Sequence, residues 1–264
     1  MKRKLQALGV LLTMGVVKLP LEQRVTAGLR AQHLLEEPIA VSAMESMGQS
    51  GMAGILGGLR GLVASILQLR AHVEFTRVNW GQVDSLYRVV TRLQPRNDSY
   101  WDEASWHMAY NASGYYLYDE SRPKELRGTL YEQHVKRGID ILHEGLEFCP
   151  DSSKLWERLA DIYFRKSFEY KKAGDAYWQA YKHGGLSFTR GFAGFAYARA
   201  SDPESWQKAY DILKADYDQG RATPGLIEHL KAVEGYLHIP AEKRIPDATQ
   251  VPKSPRNLPG PLRP

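Results

Sequence analysis

The sequence contains one cysteine and lacks the short motifs by which many enzymes are recognised. Cys149 alone cannot form an internal disulfide framework or a thiolate metal cage. The eight histidines form no HxxxH or HxH pair, GxSxG is absent, and Cys149 precedes Pro150 with no evident base. We therefore predict that the protein is not an enzyme and holds no metal and no cofactor.

Sustained alternation of apolar and polar residues, which is typical of β-strands, is also absent. From about residue 62 to 236 the apolar residues instead follow helical spacing. Helix breakers separate the stripes at 94–98, 149–151, 183–185 and 202–203. The pattern predicts an all-α chain built of helix pairs.

The positive charge of the chain lies mainly at its two ends. The formal net charge is +5, while residues 1–36 carry six Lys or Arg against two Glu, and residues 239–264 carry five against two acidic residues. The segment between them is close to neutral. A nucleic-acid groove requires a basic patch on the folded part of a protein, so we predict no nucleic-acid partner.

Residues 1–36 form the first predicted segment. They open with three basic residues and continue with the uncharged run LQALGVLLTMGVV. This pattern is typical of a secretory signal or a short membrane anchor, and the run is shorter than the ~20 residues of a comfortable span. It predicts a protein of the bacterial cell envelope, anchored in the inner membrane or periplasmic. The alternative is a cytoplasmic protein in which these residues form an ordinary end helix.

Residues 37–63 are rich in glycine and form the second segment. Gly48, Gly51, Gly54 and Gly57 recur at every third position. The Lys and hydroxyl residue of a phosphate-binding loop do not follow them, which excludes that motif. We predict an apolar helix that is buried in the protein or against a membrane partner. The run 52–69 has Arg60 as its only charge, so a second membrane span remains an alternative.

The C-terminal segment, 239–264, holds seven of the fourteen prolines. Proline fixes φ and removes an amide donor, which predicts a disordered, Pro-rich basic tail. Two PxxP spacings, at 252–255 and 261–264, also fit docking into an aromatic groove.

Two short stretches, WDEASWHM at 101–108 and WERLADIY at 156–163, share one spacing. Counted from Pro150, the large and small residues of a repeated first helix fall at Trp156, Leu159, Ala160 and Tyr163. Counted from Pro95, they fall at Trp101, Ala104, Ser105 and Met108. This spacing resembles the tetratricopeptide repeat (TPR), a helix hairpin of 34 residues. The chain as a whole resembles uncharacterised membrane-anchored TPR proteins of bacterial envelopes.

The resemblance implies a right-handed solenoid of about four degenerate repeats within residues 64–238, where 221–238 form a capping helix and an insertion lies near 111–131. It also assigns packing positions on the second helices. These are Val83, Tyr87, Val90, Gly138, Leu142, Gly145, Ala173, Tyr177 and Ala180, followed in the fourth unit by Ala193, Gly194, Tyr197, Ala209 and Leu213. Trp101 and Trp156 are expected in the core.

The function implied by the resemblance is partner binding in a concave groove. The groove residues carried over are Trp106, Tyr110, Glu157, Asp161, Phe164, Arg165, Phe195 and Arg199. Relatives that capture acidic C-termini use Lys and Asn at clamp positions where this chain has Asp102, Trp106, Glu157 and Asp161. We therefore expect a basic or apolar protein or peptide, held within a membrane-associated machine such as a transporter, secretion system or pilus.

Tyr115, Tyr116 and Tyr118 cluster in the predicted insertion. They either extend the helix pair and pack internally, or form a surface for a protein, a glycan or a small molecule. A glycan- or small-molecule-binding envelope protein and a soluble cytoplasmic TPR adaptor are thus the alternative functions.

Overall fold

The computed structural model describes Arg24 and residues 58–246. Residues 1–23, 25–57 and 247–264 lie outside the described residues, and with them most of the predicted anchor, the glycine-rich segment and the tail. Every regular element within residues 58–246 is helical, so the prediction of an all-α chain is confirmed for that part.

The helices follow one another with short connections. The α-helices are α1 (Arg60–Thr76), α2 (Trp80–Leu93), α3 (Asp98–Trp106), α4 (Ser113–Tyr118), α5 (Lys124–Phe148), α6 (Ser153–Ile162), α7 (Tyr170–Lys182), α8 (Phe188–Arg199), α9 (Pro203–Asp218) and α10 (Pro224–Tyr236). A π-helical segment, His107–Ala112, joins α3 to α4, and a second one, Tyr163–Ser167, extends α6. A 3₁₀ turn, Ala241–Lys243, follows α10.

Side-chain caps and tryptophans define several helix starts. Asn97, Ser152 and Asp202 accept a hydrogen bond from a backbone N–H in the first turn of α3, α6 and α9. Four residues after each cap, a tryptophan donates its indole N–H to a carbonyl oxygen that precedes the cap. The pairs are Trp101 to Pro95 (2.7 Å), Trp156 to Pro150 (2.9 Å) and Trp206 to Ala200 (2.7 Å). Trp101 and Trp156 therefore each mark the start of a helix. The same arrangement at Trp206 was not predicted.

Helices α3 and α6 lie side by side, parallel and in register. Three hydrogen bonds connect residues 54 to 56 positions apart in the chain. They join Ser152 to Asp98, Lys154 to Ser99 and Arg158 to Asp102. A nearly constant separation requires parallel helices, and it matches the offset between Trp101 and Trp156.

Helix α5 and the extended α6, which follow one another in the chain, run in opposite directions. Tyr131 near the start of α5 donates to the carbonyl of Lys166, whereas His143 near its end contacts the hydroxyl of Tyr163. The contact therefore moves backward along the extended α6 as it moves forward along α5. α5 therefore runs antiparallel to the extended α6, while α3 and α6 are parallel.

Glycines allow close approach at several of the helix contacts. A Cβ added to Gly145 would lie 2.7 Å from Cγ of Trp101, and one added to Gly138 would lie 2.6 Å from Cβ of Ala109. The predicted packing positions Val83, Tyr87, Val90, Leu142, Ala173, Tyr177, Ala180, Ala193, Tyr197, Ala209 and Leu213 are buried. Trp101 is buried as expected, while Trp156 is half-buried against the core. Small residues thus lie where the helices approach each other closely.

The segment predicted as an insertion lengthens one helix pair. Residues 98–118 form a continuous helical rod through α3, the π-helical segment and α4, because both junctions keep αR backbone angles. The chain turns at 119–123 and returns along α5, which is 25 residues long. The tyrosines of this region therefore lie on helices.

Two predicted boundaries differ from the structure. α1 begins at Arg60, after Gly58 at φ +77°, so the boundary between residues 63 and 64 falls inside a helix. The prediction of disorder from residue 239 onward was wrong for residues 239–246. Ile245 is buried in a cluster with α10, and its backbone N–H donates to Glu234 at 2.9 Å. Arg244 also donates to the carbonyl of Ile239, and Lys231 donates to the carbonyl of Pro246, so several contacts hold this stretch between its prolines.

Within residues 58–246 no helix has both the length and the apolar character needed to cross a membrane.

Gly145→Ala tests the close contact with Trp101, and Gly128→Ala on the same helix is its matched control. A Cβ at Gly128 has no neighbour within 4 Å. We expect Gly145→Ala to lower the free energy of unfolding by about 1–3 kcal/mol through overpacking. Gly128→Ala should raise it by ~0.5–1 kcal/mol through helix propensity. Urea titration followed by circular dichroism measures both, and equal stabilities would contradict the packing described.

Candidate functional site

The parallel helices α3 and α6 bring five side chains together, which we call the Trp106 cluster: Asp102, Trp106, Tyr110, Arg158 and Asp161. Trp106 ends α3 and Tyr110 follows in the π-helical segment. Their rings stack at 4.3 Å between centroids with 18° between planes. Trp106 keeps 40% of its surface exposed, so a large aromatic face is open to solvent.

Arg158 of α6 holds this aromatic pair against the neighbouring helix. Its guanidinium lies 4.7 Å from the ring centre of Trp106, and its Nε–H donates to Asp102 Oδ1 at 2.5 Å. Lys154 adds a second cation at 3.4 Å from the same carboxylate. Stacking and a charge-assisted hydrogen bond together fix the orientation of the planar guanidinium.

The two π-helical segments meet beside this pair. Lys166 places its ammonium 4.6 Å from the ring centre of Tyr110, and burial lowers the pKa of Lys166. Burial, together with the charge of Asp161, raises the pKa of Tyr110 to about 12. π-Helical turns are rare and often occur at functional sites. Here the two π-helical segments directly follow α3 and α6, the helices that carry the cluster.

Asp161 connects the cluster to the next helix pair. Its Oδ1 accepts a hydrogen bond from the hydroxyl of Tyr177 at 2.6 Å and lies 3.4 Å from Nε of Arg165. Burial, followed by the charge of Asp161, raises the pKa of Tyr177. The predicted packing residue Tyr177 therefore also orients a predicted groove residue.

A cavity of about 410 Å³ opens next to the cluster. It is lined by Asp102, Ser153, Lys154, Glu157, Arg158, Asp161, Gly184, Gly185 and Leu186. Glu157 makes no hydrogen bond or ion pair with another residue of the described range 58–246. Burial and the nearby charge of Asp161 raise its pKa. The cavity thus presents one carboxyl group whose hydrogen-bonding capacity is unused.

A second aromatic surface continues from α6 to α10. The guanidinium of Arg199 lies 5.0 Å from the ring centre of Phe164, and Phe164 meets Tyr170 edge-on at 5.5 Å. A cavity of about 690 Å³ adjoins Arg199 and Tyr170 and extends to Trp206 and Tyr236. Phe195 lies farther along, with its ring 4.8 Å from that of His229.

The structure brings most of the predicted groove residues into two neighbouring groups. Glu157 and Asp161 line the first cavity, Trp106 and Tyr110 stack beside it, and Phe164 and Arg199 form the edge of the second surface. Arg165 is linked to Asp161, while Phe195 packs between α8 and α10. Arg158 and Lys166 were not predicted. The signal that could have found Arg158 is its distance of 56 residues from Asp102, one residue more than the tryptophan offset.

The three insertion tyrosines lie on α4 and differ in exposure. Tyr115 and Tyr116 contact each other edge-on at 5.3 Å; Tyr115 also meets Trp80 and Tyr116 meets His134. Tyr118 is 72% exposed. Two of the three rings therefore contribute to packing α4 against α2 and α5.

No group of three or more His, Cys, Asp or Glu side chains within residues 58–246 is arranged to hold a metal ion. Comparison of the sequence with models of known protein families and with curated proteins finds no match.

Arg158→Lys tests the stacked guanidinium, and Arg165→Lys is its control. Lysine retains the charge but cannot stack a planar group on Trp106 or donate with the same geometry to Asp102. We expect Arg158→Lys to lower the free energy of unfolding by ~1 kcal/mol. The 61% exposed Arg165 should change it by less than about 0.5 kcal/mol. Urea denaturation compares them, and equal effects would count against a specific role for Arg158.

His229 predicts a pH dependence of stability. Burial lowers its pKa below the ordinary value of 6.5, so below that pH the unfolded chain binds a proton more readily than the folded one. Stability contributed by neutral His229 should therefore be lost as the pH falls below about 6.5. We expect His229→Gln to lose less stability than the parent between pH 7 and 5 in urea titrations. Identical losses would show that His229 does not titrate differently on folding.

Proposed function

We propose that this protein is a non-enzymatic TPR-type scaffold, which binds a partner protein on the surface formed by α3, α6 and α8. The bacterial envelope remains our proposed location, and a membrane-associated transport, secretion or pilus complex remains the proposed setting. In this reading α1/α2, α3/α5, α6/α7 and α8/α9 are four degenerate repeats in a right-handed solenoid, and α10 caps them.

The parallel, in-register packing of α3 on α6 supports the repeat proposal. α1 and α3 follow the same direction, since Gln68 contacts Glu103 and Phe75 contacts His107 farther along both helices. Repeats that stack in this way place their first helices side by side on one surface. The small residues at the packing positions also agree with the repeat pattern.

The observation that carries the proposed function is the half-exposed Trp106–Tyr110 stack held by Arg158. Tryptophan, tyrosine and arginine are the residue types enriched in the energetic centres of protein interfaces. Fixing their orientation before binding reduces the entropy lost when a partner docks. The ion pair and the stacking provide that preorganisation in the unbound chain.

The charges around the cavity favour a basic or apolar partner segment. Arg158 is engaged by Asp102, and Asp161 by Tyr177 and Arg165. Glu157 has no hydrogen-bond partner among residues 58–246, so its carboxyl group can accept a hydrogen bond from a bound partner segment. A lysine or arginine side chain that enters the cavity would supply a proton donor and a positive charge beside two carboxylates.

A glycan or small-molecule site on the insertion tyrosines receives less support. Tyr115 and Tyr116 already use ring surface in contacts with Trp80 and His134. The cytoplasmic alternative concerns residues outside the described range. Cell fractionation distinguishes it, because recovery of the native protein only in the soluble cytoplasm would overturn the envelope location.

Trp106→Ala combined with Glu157→Ala tests the proposed partner site. We expect at least a tenfold loss of recovered partner after crosslinking in cells, affinity purification of the full chain and quantitative mass spectrometry, because the aromatic anchor and the free carboxylate are both removed. Tyr118→Ala, an exposed aromatic away from the cluster, is the matched control. Circular dichroism of each purified variant checks folding. A folded double variant that recovers the same partners in the same amounts would overturn the proposal.

A further inference from the structure

An apolar stripe runs along the outer face of α1 and its first flanking residue. The stripe consists of Leu59, Leu62, Ile66, Leu69 and Val73, which we call the α1 stripe. These side chains are 46 to 70% exposed. Single exposed apolar residues are common, but five in a continuous row along one helix mark an interaction surface.

The α1 stripe is not needed to hold α1 in the fold. Ala64 and Ala71 are completely buried and belong to the core, and Leu67 and Phe75 pack partly against it. These residues lie on the side of the helix opposite the stripe, given 3.6 residues per turn. α1 is therefore already folded and fixed when its outer face meets another molecule.

The spacing and residue types of the stripe indicate what covers it. The intervals of three, four, three and four residues are those of heptad positions a and d. Leu59, Ile66 and Val73 occupy a, while Leu62 and Leu69 occupy d. β-Branched residues at a with leucine at d are the combination that favours parallel two-stranded coiled coils. Ile66, Val73 and both d leucines fit that combination.

The flanking residues are compatible with that orientation. Val63 and Arg70 occupy e positions of α1, while Ser65 and His72 occupy g positions. A parallel pair places Arg70 opposite Ser65 of the partner subunit, so this contact sets no like charges against each other.

We propose that the α1 stripe is the interface between two copies of this chain, which pair through parallel α1 helices. The core of each copy lies behind its own α1, on the side away from the stripe, so the two bodies do not collide. A parallel pair also leads both chains into α1 from the same end. The inference does not depend on the partner groove.

The size of the stripe predicts a weak dimer. From Leu59 to Val73 it extends about 21 Å at 1.5 Å per residue. Five side chains on one helix cover less than the ~800 Å² per subunit of a standard interface. We therefore expect a dissociation constant on the order of 1–10 μM for the full chain in solution or detergent.

Sedimentation of the full chain, in detergent micelles where needed, tests the existence of the dimer. We expect concentration-dependent dimerisation that weakens at least tenfold in the double variant Leu62→Glu plus Leu69→Glu. Leu126→Glu makes the same chemical change at another exposed leucine and should leave dimerisation unchanged. A chain that stays monomeric up to 100 μM, or a dimer insensitive to the double variant, overturns the proposal.

Disulfide crosslinking tests the orientation. Cys149→Ser removes the native thiol, and Leu62→Cys or Leu69→Cys is then added singly. In a parallel pair both positions face their own copy, so both variants should crosslink under mild oxidation. In an antiparallel pair a residue meets its own copy only where the two-fold axis crosses the helices. At most one of the two variants would then crosslink. Leu126→Cys in the same background should remain uncrosslinked.

Two other coverings of the stripe give different results. If a lipid surface covers it, anionic vesicles bind the monomer and Leu62→Glu plus Leu69→Glu abolishes binding without any dimer being seen. If the chain's own N-terminal residues cover it, a monomeric Leu69→Cys variant resists alkylation. Either result overturns pairing between copies.

Discussion

The contact of Trp101 with Gly145 sets the separation of α3 and α5, and much of the described structure depends on it. The indole occupies the space that a side chain at Gly145 would fill, and its N–H is bound to the carbonyl of Pro95. One residue thereby fastens the start of α3 and sets its distance from α5. With α3 in place, α6 packs parallel to it and brings Arg158 to Asp102.

The candidate binding surface uses the same helices as the core, with different faces. Trp101 is buried, whereas Trp106, five residues later, is exposed at the end of α3. The π-helical turn that follows α3 keeps Tyr110 stacked on Trp106, and Lys166 of the second π-helical segment lies 4.6 Å from the ring centre of Tyr110. A rigid pair of helices can therefore present aromatic and charged groups without a loop that must be ordered on binding. The α1 stripe, on the first described helix, is available for a different contact.

Much of the helical pattern could be predicted because its causes are local. Cap residues, breakers and helical spacing act within a few positions of the chain, and the predicted breaks fall at or between helices. The candidate site was predicted only in part. Trp106 and Tyr110 stood out by type and position, but Arg158 acquires its role from Asp102, which is 56 residues away. The ordering of Ile245 similarly depends on a buried cluster formed by α9 and α10.

The sequence by itself determined that about residues 62–236 are helical and which positions along the helices are buried, since periodicity and side-chain volume are properties of neighbouring positions. The tertiary structure decided which polar groups meet, because an ion pair, a stacked cation or a buried hydroxyl requires two helices at a set distance and register. It also decided that the outer face of α1 stays uncovered within the described residues. Helical spacing identifies an apolar face of a helix, but only the packing of the helices shows whether that face is buried within the fold.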